Sequence, residues 1–242
     1  MSTYRDVFIV VGATNEDAAL KKTVRTVMES CRPEDIGEVR VMRSKTASPG
    51  CIAACEEMAR AYPGKVTCVV QTRPYIGGAI RDGFDAARSS HILLLPGDLA
   101  LELSVVPKLI EEAKKHPDAL IKSSRWMEKG AFHGYSPVRK CLNLAAQILI
   151  RVLFGTRVRD LTNPVQIMPA ALYHAIDWQE LNFPFLVEMV LVPLRLGTEI
   201  REVPAACFGR REGRSNNSFL QTALYLKTVL RIRFSTPENL LK

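Results

Sequence analysis

The sequence predicts an α/β fold with a mostly parallel central sheet flanked by helices. Short apolar, β-branched runs alternate with stretches of helical periodicity, and the connections between them are short. Residues 7–11 form an unbroken apolar run, which reads as a strand buried on both faces. Asn15 follows as a candidate N-cap, with Glu16 and Asp17 in the first turn and Leu20, Val24, Val27 and Met28 at helical spacing. A second strand is expected at 38–42, a helix at 52–61 and a third strand at 66–71. Gly77-Gly78 opens the next helix, whose buried face is Ala79, Ile80, Gly83, Phe84 and Ala87, and residues 91–95 make the fourth strand.

After Pro96 the alternation becomes mixed. Val105, Val106, Leu109, Ile110 and Ala113 define a helix, followed by a strand at 119–123. Ser136-Pro137 supplies an N-cap and a proline at the first helical position. It starts a long helix expected to face inward with Val138, Leu142, Ala145, Leu149 and Val152. A strand at 165–168, a helix at 185–196 that tolerates Pro193, and a strand at 198–203 complete the body. Residues 209–217 read as a polar, basic loop, and Asn217 or Ser218 caps a last helix ending near Phe234. The expected division is a domain over 1–218 and a C-terminal amphipathic helix and tail over 219–242.

Composition narrows the partners. Of 242 residues, 47% are apolar and 24% charged, an ordinary globular balance. The longest apolar stretch, 142–150, contains Asn143 and Gln147 and falls short of a membrane span. The N-terminus does not read as a signal peptide. The six cysteines lack CxxC spacing, which disfavours zinc and suits reduced thiols in the cytoplasm. The net charge of +8 invites an anionic partner. Aromatic residues are only 7% and sit in apolar runs, so nucleic acid is not expected. The basic residues gather in the last third, including Arg195, Arg201, Arg210, Arg211 and Arg214, which points to phosphates or a membrane surface.

In an open α/β sheet, ligands bind beyond the carboxyl ends of the strands. The candidate segments there are Gly12-Ala13-Thr14-Asn15-Glu16, residues 73–79, Pro96-Gly97-Asp98 and Asp160-Leu161-Thr162. Further along stand Ser124-Arg125, Leu153-Phe154-Gly155, Glu202-Val203-Pro204 and Arg210-Arg211-Glu212-Gly213-Arg214-Ser215. In order and spacing over about residues 7–218, these segments resemble family 2 glycosyltransferases. The likeness is strongest to the branch that glycosylates dolichol and polyprenyl phosphates with mannose or glucose.

The resemblance implies a GT-A fold and an inverting transfer from a nucleotide sugar to a lipid phosphate or related cell-envelope glycan. It implies donor contacts at Asn15, Glu16, Gly78 and Ala79, catalytic carboxylates at Asp98 and Asp160, and acceptor contacts at Arg125, Arg210 and Ser215. The family's Asp-x-Asp motif holds a divalent ion on the donor diphosphate. Here Pro96 replaces its first carboxylate, leaving Asp98 as the metal ligand, so Mg²⁺ or Mn²⁺ is expected to be held weakly or not at all. Arg43 and Lys45 stand where the family carries an acidic residue, and Arg43, Arg73 and Arg81 are candidate substitutes for the ion's charge. The C-terminal segment, with Lys227, Arg231 and Arg233 among its apolar residues, points to a protein peripheral to the cytoplasmic membrane face. The apolar stripe Phe219, Leu220, Ala223, Leu224, Leu230, extended by Leu226, Val229 and Phe234, would lie on an anionic membrane surface, with packing on the protein's own core or on a second copy as the alternative. The rival functional reading is a binding or scaffold relative that keeps the fold without catalysis; a nucleotidyltransferase of similar architecture is third.

Overall fold

A computed structural model describes residues 3–208 and 219–242, with side chains in the last helix described from residue 224. The strands are β1 (Val7–Ala13), β2 (Ile36–Arg43), β3 (Val66–Val70), β4 (His91–Pro96), β5 (Leu120–Ser124), β6 (Phe132–His133), β7 (Gln166–Pro169), β8 (Ile200–Pro204) and β9 (Cys207–Phe208). The helices are α1 (Ala18–Ser30), α2 (Pro49–Ala61), α3 (Tyr75–Asp85), α4 (Val105–Lys115), α5 (Pro137–Phe154), α6 (Ala170–Ala175), α7 (Phe185–Arg195) and α8 (Phe219–Phe234).

Seven strands form one sheet in the order β3-β2-β1-β4-β7-β5-β8, and β6 and β9 pair separately. β1 lies parallel to both β2 and β4. Only β7 runs against its neighbours β4 and β5, while β5 and β8 are parallel. The expected α/β architecture is therefore present, with one antiparallel strand in its second half.

β1 shows why such a strand must be apolar throughout. Val7, Ile9 and Val11 enter a core with α1, α2 and α4, whereas Phe8 and Val10 enter a second core with α3, α6, α7 and α8. α3 lies so close to the sheet that a Cβ on Gly83 would stand 2.6 Å from Cγ2 of Val10 and 3.2 Å from Cγ of Met42. Pro193 is accommodated within α7 by a partner from the sheet. The proline offers no N–H to the Met189 carbonyl one turn back, and the Gln166 side-chain amide donates to that carbonyl at 3.2 Å.

Three expectations are corrected. Asn15 does not cap α1, which starts at Ala18 after Asp17. The Glu16 carboxylate accepts the N–H groups of Thr14 and Asn15 and holds that turn outside the helix. α5 has the expected helical period but the opposite orientation. Val138, Leu142, Leu149 and Val152 are 68%, 66%, 59% and 77% exposed, and the buried residues are Gln147 and Ile150. The inner side of α5 meets a polar loop, so its polar residues turn inward. In α8, Val229 and Ile232 are buried in the core shared with α7, while Leu224, Leu226, Leu230 and Phe234 stay exposed. The described part of the expected stripe is therefore split between core and surface, while the side chains of Phe219, Leu220 and Ala223 fall outside the described residues. α6 and the β6–β9 pair are too short to carry a periodic signal and were not expected.

Gly83→Val is predicted to lower the urea midpoint, at a cost of about 1–3 kcal/mol, because its branched side chain would overlap the rigid Val10.

Candidate active site

Strands β1, β2, β3 and β4 are mutually parallel, so the loops after them emerge at one edge of the sheet. β7 opposes β4 and β5, which brings the end of β5 and the start of β7 to that same edge. Connection order reverses between β1 and β4, with β2 and β3 on one side and the later strands on the other. That reversal leaves a crevice outside the strand ends, the usual ligand position of such sheets. The turn at residues 12–16 and the Gly97-Asp98 pair flank it. They approach closely, since a Cβ on Gly97 would lie 2.8 Å from the Gly12 carbonyl oxygen.

Asp98 is nearly buried, and its Oδ1 accepts the Ala100 N–H at 3.0 Å. Leu99 between them has φ 55°, and Tyr75, at the start of α3 near the same edge, has φ 63°. Left-handed backbone at non-glycine residues costs energy and gathers at ligand sites. The described residues contain no group of three or more side chains able to hold a metal ion. Asp98 can supply one carboxylate ligand. An ion here would complete its shell from donor phosphate oxygens and water, which is within the habits of Mg²⁺.

Gly78 and Ala79 are buried at the first turn of α3, and the Gly78 N–H donates to the Leu181 carbonyl at 2.9 Å. A Cβ on Gly77 would lie 2.7 Å from the Leu181 carbonyl carbon, and one on Gly78 2.7 Å from Cβ of Arg73, so both glycines allow close packing. Glu16 is committed to its own turn, and Asn15 is exposed beside it. Of the candidate cations, Arg73 pairs with Asp82 at 3.0 Å and Asp85 at 2.6 Å, and Arg81 donates to the Glu180 carbonyl.

The second wall is built on a buried ion pair. Arg125, just past β5, donates from Nε to Asp160 Oδ2 at 2.7 Å and from Nη2 to Oδ1 at 2.8 Å; its backbone N–H reaches Oδ2 at 3.0 Å. Gln147 on α5 adds a bond from Nε2 to Oδ1, and its Oε1 accepts the Leu161 N–H. Glu202 on β8 accepts the N–H groups of Arg159 and Asp160 at 2.8 and 2.9 Å. Burial would raise the Asp160 carboxyl, but the adjacent Arg125 guanidinium outweighs it and holds the group below the usual carboxylate range. Lys122 on β5, fully buried, donates to the Asn163 carbonyl, and burial pushes its ammonium down to about 8.

The structure thus brings Arg125 and Asp160 into direct contact at the edge where Asp98 lies. Arg210 and Ser215 fall outside the described residues. Gln147, Glu202 and Lys122 complete the cluster; Glu202 lies in a segment that carries the family resemblance but was given no role from sequence, and Gln147 and Lys122 were not singled out as site residues. The available signal was Asn143 and Gln147, four apart in the apolar middle of the helix at 141–150.

The family profile described as Glycosyl transferase family 2 matches residues 8–176. The chain belongs to this family. The Pyrococcus furiosus protein named dolichol-phosphate mannosyltransferase is 27% identical over 180 residues, 73% of this chain. The chain spans about half the length of this curated relative, 50%. The structure of Mycobacterium tuberculosis glucosyl-3-phosphoglycerate synthase with Mn²⁺, UDP and phosphoglyceric acid superposes with a TM-score of 0.68 at 18% identity, covering 95% of this chain and 79% of that one. A complex of the same synthase with Mg²⁺ and UDP gives 0.68 at 17% identity, over 94% and 79%. These structures establish the GT-A fold for this chain. In the family's segments, Ser124-Arg125, Asp160-Leu161-Thr162 and Glu202-Val203-Pro204 are the parts that hydrogen-bond to one another here.

Two predictions follow from the buried charges. Asp160→Asn is expected to cost about 3–5 kcal/mol in urea unfolding, because it strands the Arg125 charge. The folded carboxyl titrates below the unfolded one, so this contribution is present above about pH 4 and is lost as pH falls through the folded value; the gap between wild type and variant should narrow there. Lys122 has the opposite consequence in alkali. Its folded value lies below its unfolded one, so the unfolded chain binds more protons between about pH 8 and the ordinary lysine value. Wild-type stability, measured relative to Lys122→Met, should therefore rise across that interval.

Proposed function

We propose that this chain transfers a sugar from a nucleotide-diphosphate donor to a lipid phosphate at the cytoplasmic face of a membrane. The observation that carries the reading is that residues 12–16, 73–79, 96–98, 124–125 and 160–162 all lie at one edge of the sheet, around the crevice between β1 and β4. The curated relative is named for a lipid-phosphate acceptor, and the solved neighbours hold UDP with a phosphate-bearing acceptor, which supports a donor on one side and a phosphate on the other. An envelope glycan is the alternative acceptor.

The chemistry is a displacement. A phosphate oxygen of the acceptor attacks the anomeric carbon, the bond from that carbon to the donor diphosphate breaks, and the nucleoside diphosphate leaves with the electron pair. The attacking oxygen is already ionised near neutral pH, so no strong general base is needed. Asp98 stands at the donor phosphates, where it would hold the family's Mg²⁺ or Mn²⁺. That ion would offset the charge gathering on the leaving group. Asn15 and the exposed rim of the β1 turn face the donor. Asp160 acts through Arg125: it fixes the guanidinium and the backbone after β5, and so shapes the acceptor side. Arg210 and Ser215 remain the acceptor-binding candidates of the basic segment.

The test is transfer from UDP- and GDP-sugars to a polyprenyl phosphate, with phosphoglycerate as the competing acceptor and Mg²⁺ or Mn²⁺ varied. Lipid-dependent release of nucleoside diphosphate is expected. Transfer to phosphoglycerate alone would overturn the acceptor, and absence of nucleotide binding under every metal condition would overturn the enzyme reading. Asp98→Asn should lower kcat by about 10²-fold with the fold intact by circular dichroism.

A further inference from the structure

α5 has two faces of opposite character. Val138, Leu142, Leu149 and Val152, with Ala145 between them, form one exposed stripe, flanked by exposed Cys141, Leu144 and Ile148. Beside it α8 leaves Leu226, Leu230 and Phe234 exposed, and the Arg233 guanidinium ties the two helices by donating to the Leu153 carbonyl at 2.7 Å. Side chains of this kind rarely stay uncovered over so continuous an area.

Charge identifies what covers them. From residue 129 to 159 the chain carries Lys129, Arg139, Lys140, Arg151, Arg157 and Arg159 and no acidic residue. α8 likewise has no Asp or Glu, and its Lys227 is exposed. An apolar stripe with a basic rim complements an anionic lipid interface, where each basic residue contributes roughly 1 kcal/mol. A symmetric contact with a second copy would set this basic rim against itself. No described helix is long and apolar enough to cross a membrane, so α5 would lie in the plane of the interface.

We propose that the outward face of α5, extended by α8, docks this protein on an anionic lipid surface. The inference deepens the lipid-phosphate reading, because α5 joins that surface to the site. On its inner face Gln147 bonds to Leu161, Thr162 and Asp160, so the Asp160 loop lies one helix thickness, about 10–12 Å, from the lipid. A headgroup phosphate at the interface is then within reach of the wall that Arg125 and Asp160 shape.

The test is flotation of the full chain with mixed phosphatidylglycerol and phosphatidylcholine vesicles at low salt. Wild type should float, and added salt should weaken binding. Leu142→Glu/Leu149→Glu should reduce the partition at least about tenfold, with circular dichroism unchanged because both side chains are exposed. Val152→Glu is the second variant, should the first lose its fold, and it should also weaken binding. Failure of wild type to float, or floating of the folded variants like wild type, would overturn the proposal. So would a wild-type dimer in sedimentation that the double variant dissolves, which would assign the face to a second copy. Flotation needs neither donor nor turnover. Absence of transfer to a lipid phosphate would therefore overturn the acceptor reading and leave the docking face standing.

Discussion

The pairing of Asp160 with Arg125 fixes the half of the crevice that strand ends alone could not define. The first half is set by β1 and β4, whose register places the turn at 12–16 and Asp98 side by side. The second half is loop, and loops at a sheet edge need side chains to hold them. A carboxylate with no exposure survives there because Arg125, Gln147 and the Asn163 N–H surround it. Removing one member leaves the others uncompensated in a place water does not reach, so the cluster behaves as a unit. Its members come from β5, α5, the loop before β7 and β8, and it therefore locks four elements of the second half to one another.

That arrangement explains the orientation of α5. A helix whose inner face must satisfy a polar loop presents Gln147 and Asn143 inward, and its leucines and valines go where they can. The apolar stripe is thus a consequence of the site on one side and a resource for the interface on the other. α8 resolves the same conflict differently: it divides its apolar residues, giving Val229 and Ile232 to the core.

Much of this was readable in the sequence. The strands of the first half announce themselves because burial on both faces forces unbroken apolar runs, as at 7–11 and 92–95. The family segments, matched by residue and spacing, located the Asp98 turn and the Asp160 loop on the correct sheet edge. What could not be read was direction. Periodicity reports that α5 has an apolar side and is silent about whether that side meets protein. The strand at 166–169 was readable as a strand, but its antiparallel sense depends on pairing partners far away in the chain. Asn15 was misread for a local reason: Glu16 accepts the N–H groups of Thr14 and Asn15, which holds those residues in a turn and delays the helix to Ala18. The roles of Gln147 and Glu202 could not be read because each accepts a backbone N–H group of the Asp160 loop, a contact that no side-chain pattern reveals.

The bond between Gln166 and the Met189 carbonyl has a consequence for how this sequence can drift. A proline within a buried helix leaves a carbonyl that must find a donor, and here the donor lies on another element, 23 residues earlier. The dependence runs one way: losing the amide while the proline stays orphans a buried oxygen, whereas losing the proline restores a backbone donor and removes the need for the amide. Positions 166 and 193 should therefore covary among related chains, leaving a trace of the contact between β7 and α7 in sequences alone.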